Sequence, residues 1–184
     1  MAETQQLTKT YQKKTDKEHI LDNPDTYIGS VENVISEQYL LESPTQIVAQ
    51  SIQYNPALFK LFDEAIVNCR DHVIRMNKQT KSTIPVTQIK ITIKDNTITM
   101  HNNGNGIDVE QHPEYKIWIP ELIFGHLRTS TNYNKTEKKI TGGKNGFGFK
   151  LVLIWSTYGS IETVDHIRHL KYTQSFENNL DIIT

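Results

Sequence analysis

The apolar spacing between residues 55 and 77 constrains the fold of this 184-residue chain more than any other feature. Pro56 opens the stretch, and Leu58, Leu61, Phe62, Ala65, Cys69, Val73 and Met76 follow at three-and-four intervals. That spacing predicts an amphipathic helix with one apolar stripe. Opposite the stripe, Glu64, Asn68 and His72 stand at i, i+4 and i+8 and so share one polar face. A helix apolar on one side needs a layer to lie on. Residues 88–94 alternate with period two, Asp95-Asn96 forms a two-residue turn, and residues 97–101 alternate again. This pattern predicts a hairpin with one buried face, ended by Asn102-Asn103-Gly104-Asn105-Gly106.

The remaining segments are shorter. Residues 1–16 are polar and read as an arm, and Asp16 is the expected N-cap of a helix over 17–22 that Pro24 stops. Residues 25–54 carry mixed apolar runs without a clear period and read as loops and short strands. A helix is expected from Pro120 to Leu127, a polar glycine-bearing lid over 128–145, and a second helix from Phe147 to Trp155. Strands are expected over 160–164 and 167–173. The final Ile182-Ile183-Thr184 is apolar with no visible closing element, which reads as a truncated end. The order of elements predicts a two-layer α/β (α+β) sandwich, its mixed and largely antiparallel sheet covered by helices on one face.

Composition narrows the function. Hydrophobic content of 36% and charged content of 22% exclude a disordered chain. A net charge of −1 disfavours an autonomous nucleic-acid clamp, and the lysine clusters at 9–17 and 135–144 read as solvated surface. A single cysteine, Cys69, excludes an internal disulfide, and His166 and His169 lack a third metal ligand nearby. No stretch approaches the ~20 apolar residues of a membrane span, and Met-Ala-Glu-Thr-Gln-Gln is no secretory signal. An intracellular protein is expected.

Three elements carry chemistry. In Thr-Gly-Gly-Lys-Asn-Gly-Phe-Gly-Phe-Lys (141–150), Gly143, Gly146 and Gly148 lead into an apolar helix. Glycines let backbone N–H groups approach a polyphosphate closely. Glu64 can polarise water, and Asn68, one turn later, offers a neutral amide oxygen to Mg²⁺. Asn102 at a strand end can pair with donor and acceptor on an adenine edge. Each alone is commonplace; their order and placement together describe an ATP pocket. A P-loop would need Gly-Lys followed by Ser or Thr, and a dinucleotide loop would need the reverse glycine spacing directly after a strand; neither occurs.

These residues lie within strings that resemble the N-terminal region of eukaryotic-type DNA topoisomerase II. The strings are Thr10-Tyr11-Gln12-Lys13-Lys14-Thr15, Glu18-His19-Ile20-Leu21, Pro24-Asp25-Thr26-Tyr27-Ile28-Gly29-Ser30 and Phe62-Asp63-Glu64-Ala65-Ile66-Val67-Asn68. Two more are the run from Ile119 to Leu127 and Glu137-Lys138-Lys139-Ile140-Thr141-Gly142-Gly143. The resemblance runs from about residue 9 to the end. It implies the Bergerat-type ATP-binding fold shared by gyrase, the Hsp90 chaperone, histidine kinases and MutL.

Position by position, the resemblance implies Glu64 as general base, Asn68 as Mg²⁺ ligand, and Asn102 and Ile107 as nucleotide contacts. It implies Ser130, Thr131 and Asn132 as lid residues at ribose and phosphate. Gly143, Lys144, Asn145, Gly146, Phe147, Gly148, Phe149 and Lys150 would form the phosphate loop. Tyr11 matches a residue that reaches the partner subunit's nucleotide. Two positions depart: His72 replaces a customary asparagine near the phosphates, and Phe149 a customary alanine. The resemblance further implies an ATP-dependent homodimer that drives DNA strand passage in the full-length enzyme, located in a nucleus or a viral replication site. The family's transducer, with a lysine that reaches the γ-phosphate, and its DNA-cleaving domain are not in these residues, so the chain is not expected to cut DNA. The alternative is a nucleotide-binding module without efficient turnover. A chaperone- or kinase-type member of the fold is disfavoured by the Tyr-Ile-Gly-Ser and Glu-Lys-Lys-Ile-Thr-Gly-Gly strings.

Overall fold

The computed structural model describes residues 13–78, 84–129 and 147–184. The chain enters through α1 (Asp16–Asp22) and α2 (Pro24–Tyr27), then makes a long hairpin of β1 (Val34–Ser43) and β2 (Gln46–Tyr54). The helix α3 (Pro56–Lys78) follows, then the hairpin β3 (Ile89–Lys94) and β4 (Thr97–Asn102). After α4 (Ile119–Gly125) and α5 (Gly148–Ile154), an antiparallel meander of β5 (Tyr158–Asp165), β6 (Leu170–Glu177) and β7 (Ile182–Ile183) ends the chain. Among the described residues all strand pairs are antiparallel.

The cap of α1 is Thr15, not Asp16. Thr15 accepts from the Glu18 amide while Glu18 reaches back to the Thr15 amide at 2.7 Å, closing a capping box. Asp16 is thereby freed to accept from Arg128 Nε and Nη2, each at 2.8 Å. Pro24 ends α1 as expected, but it also occupies the first turn of α2, where its missing N–H costs nothing.

Loops and short strands were expected over 25–54, and the finding differs. A ten-residue and a nine-residue strand pair from Val34↔Tyr54 to Ser43↔Gln46, closed by Pro44-Thr45 and bulged beside Glu42. Both faces of this hairpin mix apolar with polar side chains, so no period-two signal was visible. Ile35, Tyr39, Leu41 and Ile47 stay exposed on one of its faces. The second hairpin also departs from expectation. Its register, including Ile91↔Met100 and Ile93↔Ile98, puts the isoleucines on one face, and β4 packs on α3, yet Ile91, Ile93 and Ile98 are exposed. Ile93 is 65% exposed.

The core forms where α1, α2 and α5 meet the first turn of α3. Ile20, Ile28, Ala57, Leu151 and Ile154 are buried together, with Leu21, Tyr27, Leu61, Leu127, Phe147, Trp155 and Leu180 around them. Ala65 and Met76 of the α3 stripe are buried, whereas Leu58 is exposed and Ala57 takes its inward place. The terminal run that seemed unclosed is a third strand: β7 pairs with Phe176 and Glu177, and Thr184 exchanges two hydrogen bonds with Ser175. Among the described residues no helix is long and apolar enough to cross a membrane.

The loop leaving β4 is fastened to this meander. The Gly106 amide donates to the Val164 carbonyl at 3.1 Å and the Ile107 amide to Thr163 Oγ1 at 2.8 Å. A Cβ on Gly106 would sit 2.2 Å from that carbonyl, so the approach requires glycine. Asp165, buried at 3% exposure, accepts from the amides of Val109, Ile167 and Arg168 and from the Arg168 guanidinium. Burial alone would raise its pKa, but these four donors hold it well below the carboxylate range. Arg168 also bridges Asp108 and Glu110.

Two outcomes test this packing. Ile154→Ala is expected to cost about 2–5 kcal/mol of stability, read from urea unfolding, because the side chain is fully enclosed. Asp165 has a depressed folded-state pKa, so its contribution is present above the unfolded value and lost as pH falls through the folded one. Asp165→Asn is therefore expected to lower stability at neutral pH and to flatten its decline below about pH 4 in acid titrations of unfolding.

Candidate functional site

The polar face of α3 meets the first turn of α5. A Cβ added to Gly148 would lie 3.2 Å from Glu64 Oε2 and 3.8 Å from Asn68 Nδ2, so the α5 backbone sits directly over both side chains. The hydrophobic seam through Ala57, Leu151 and Ile154 sets this juxtaposition, which neither helix could establish alone. Glu64 is half-buried, and its Oε1 pairs with Lys60 Nζ at 2.7 Å. The hydrogen bond to Glu64 raises the Lys60 pKa against the opposing effect of burial, and Asp63 adds to the rise. Lys60 was not singled out from sequence, although its place one turn before Glu64 was a legible i, i+4 signal.

Asn68 turns its amide nitrogen back to the Glu64 main-chain carbonyl. Its Oδ1 accepts no hydrogen bond from a described residue, which leaves one neutral oxygen beside the Glu64 carboxylate. That donor set suits a hard divalent cation holding most of its own water. His72, one turn further, points elsewhere: its Nε2 donates to the Asn105 carbonyl. Burial lowers its pKa, the bond to Asn105 partly opposes this, and the nearby Arg75 cation lowers it again.

Asn102 closes β4 and is half-buried, with its side-chain amide donating to the neighbouring Asn103 carbonyl at 3.2 Å and to no other described residue. The other two asparagines of the loop are committed. Asn103 Oδ1 accepts from the amides of Thr87 and Gln88 while its Nδ2 reaches Thr87 Oγ1. Asn105, 5% exposed, exchanges bonds with Ile84 through Oδ1 and its own amide. Gly104 takes φ +89° and has no room for a Cβ, which would meet Ile84 O and Val86 Cγ2 at 2.9 Å. Neither staple was foreseeable, because each needs a partner about 15–21 positions away.

In the 147–150 segment, the rings of Phe147 and Phe149 serve packing. Phe147 leans on Tyr27 with ring centroids 6.2 Å apart, and Phe149 meets Phe124 edge-on at 5.3 Å. The bulk at position 149 is thus taken up by an aromatic partner on α4. Lys150 is buried, and its Nζ donates to the Thr129 carbonyl at 2.6 Å. Burial brings its pKa down to about 8. Tyr11, Ser130, Thr131, Asn132, Gly143, Lys144, Asn145 and Gly146 lie outside the described residues. No group of three or more His, Cys, Asp or Glu that could hold a metal ion occurs among the described residues.

Residues 54–177 match the family model for the histidine kinase-, DNA gyrase B- and HSP90-like ATPase. DNA topoisomerase 2 of Pisum sativum is 45% identical over 95% of this chain, and that of Acanthamoeba polyphaga mimivirus is 45% identical over 95%. The chain spans 12% and 14% of the length of those two relatives. Among solved structures, the ATPase region of Saccharomyces cerevisiae topoisomerase II superposes with a TM-score of 0.86 at 42% identity, covering 97% of this chain and 46% of that one. The ATPase and transducer domains of DNA topoisomerase II from Balamuthia mandrillaris superpose at 0.85 with 38% identity, covering 96% and 45%. The mixed helical and antiparallel fold is the one those ATPase domains have, and the chain belongs to the histidine kinase-, DNA gyrase B- and HSP90-like ATPase family, with DNA topoisomerase 2 among its relatives.

Proposed function

We propose that this chain is the ATP-binding and ATP-hydrolysing portion of a type II DNA topoisomerase. It binds Mg·ATP, pairs with a second copy in its nucleotide-bound state, and couples hydrolysis to DNA strand passage in the full-length enzyme. The observation that carries the reading is the stack of Glu64 and Asn68 on one face of α3, directly beneath Gly148. In this reading residues 1–16 form the arm, with Tyr11 directed to the partner's nucleotide, and 17–184 the ATP-binding domain.

Each group has a role set by its chemistry. The Glu64 carboxylate accepts a proton from the attacking water, while Lys60 holds one carboxylate oxygen and leaves Oε2 on the α5 side. Asn68 Oδ1 is the protein ligand for magnesium, which when bound offsets charge on the phosphates. Asn102 reads the adenine edge beside Ile107, and the half-buried position of its amide favours pairing over solvation. Lys150 supplies a cation at the polyphosphate, Ser130, Thr131 and Asn132 serve as ribose and phosphate contacts, and residues 143–146 as the start of the phosphate loop.

Three measurements test the assignment. Glu64→Gln is expected to keep ATP affinity within about threefold while lowering steady-state turnover by about 10²–10⁴. Binding without turnover in both the unmodified chain and the variant would favour a nucleotide module that needs further residues for catalysis. Asn68→Ala is expected to abolish the gain in ATP affinity on adding magnesium, read by calorimetry with and without the ion. The Lys150 ammonium loses its proton as pH rises through about 8, so attraction for the triphosphate weakens above that point. ATP affinity should fall between about pH 8 and 9.5, and Lys150→Met should remove that slope along with part of the affinity.

A further inference from the structure

We infer that His72 is a positioning residue for the nucleobase end of the site, acting on bound nucleotide through the 102–106 loop and not by contact with phosphate. The inference rests on the nucleotide reading above and deepens it. Alignment with Glu64 and Asn68 would let a side chain at position 72 serve the polyphosphate. The imidazole is instead spent on the Asn105 main-chain carbonyl. A carbonyl only accepts, so Nε2 carries a proton, and in the neutral ring Nδ1 then holds the lone pair. Such a ring brings no positive charge to a triphosphate, and its burial among α3 and the loop favours the neutral form.

The loop it holds is otherwise fixed from two other directions. Asn103 and Asn105 tie it to residues 84–88, and Gly106 and Ile107 tie it to β5. The hydrogen bond from His72 links this loop to α3. Together with the packing of β4 on α3 it therefore fixes the distance between the Glu64–Asn68 face and Asn102, whose side chain among the described residues is bonded to its neighbour alone. Fixing that distance before the ligand arrives removes an ordering cost from adenosine binding and leaves the phosphate contacts untouched.

The test compares His72→Gln, His72→Asn and His72→Ala for binding of Mg·ATP and of magnesium tripolyphosphate, which lacks the nucleoside. Gln carries an N–H out to the reach of Nε2, whereas Asn ends an atom short. His72→Ala and His72→Asn are expected to bind ATP about tenfold more weakly, as one lost buried hydrogen bond implies, with tripolyphosphate affinity unchanged within about twofold. His72→Gln should stay within about threefold for both ligands. Equal weakening of tripolyphosphate would place His72 on the phosphates and overturn the inference, as would a Gln variant as weak as Ala. Nitrogen-15 spectra of the unmodified chain give a second readout that needs no variant to fold: the Nε2–H tautomer is expected, and a dominant Nδ1–H tautomer would overturn the inference. If the Glu64 and Asn68 variants behave as expected while those at His72 do not, this inference alone fails. If the unmodified chain binds no ATP, the functional reading fails and takes it along.

Discussion

The packing of α5 across α3 is the contact on which everything else here depends. Leu151 and Ile154 close against Ala57, Ile20 and Ile28, and that apolar seam places Gly148 over Glu64 and Asn68. Burying these side chains is worth a few kcal/mol each relative to exposure, more than the partly exposed Lys60–Glu64 pair contributes to stability. The seam thus holds a carboxylate, an amide and a glycine backbone together that would otherwise drift apart. Polar chemistry is positioned by apolar contact a turn away from it.

A different kind of force holds the nucleobase side. The 102–110 loop has few buried apolar side chains, Val109 being one, and is fixed by polar staples: Asn103 to Thr87 and Gln88, Asn105 to Ile84, Ile107 to Thr163 and Val109 to Asp165. Such bonds are individually modest, but each is costly to leave unmade once its groups are out of water. Glycine at 104 and 106 is required by the close approach of neighbouring backbone, so the loop can be fastened this tightly only with those residues. Arg168 and Asp165 then anchor its far end to the β5–β6 turn.

Two kinds of pattern were legible beforehand. The stripe from Leu61 to Met76 and the Asp95-Asn96 turn state their structure locally, and α3, β3 and β4 lie within a residue or two of expectation. The β1–β2 hairpin was missed because neither face is purely apolar, and β7 because two isoleucines beside a terminus carry no period. Thr15 won the cap over Asp16 because Glu18 three residues on completes the box, a signal that was present and misread. The inward row of β3 and β4 was correct in register and wrong in burial, since register is local whereas burial depends on what lies opposite.

The amino-acid order alone determined which residues share a face: Glu64, Asn68 and His72 on one side of a helix, Asn102 at a strand end, glycines before an apolar helix. Helical and strand periods are properties of a few consecutive residues, so they survive without knowledge of the rest. Only the tertiary structure decided which of those groups remain available and which are consumed. His72 and Asn105 bind each other, Asn103 is spent on Thr87 and Gln88, and Lys150 is buried against Thr129 until its proton is loosely held. Those outcomes turn on partners 15–33 positions away, and on desolvation, which no local pattern encodes.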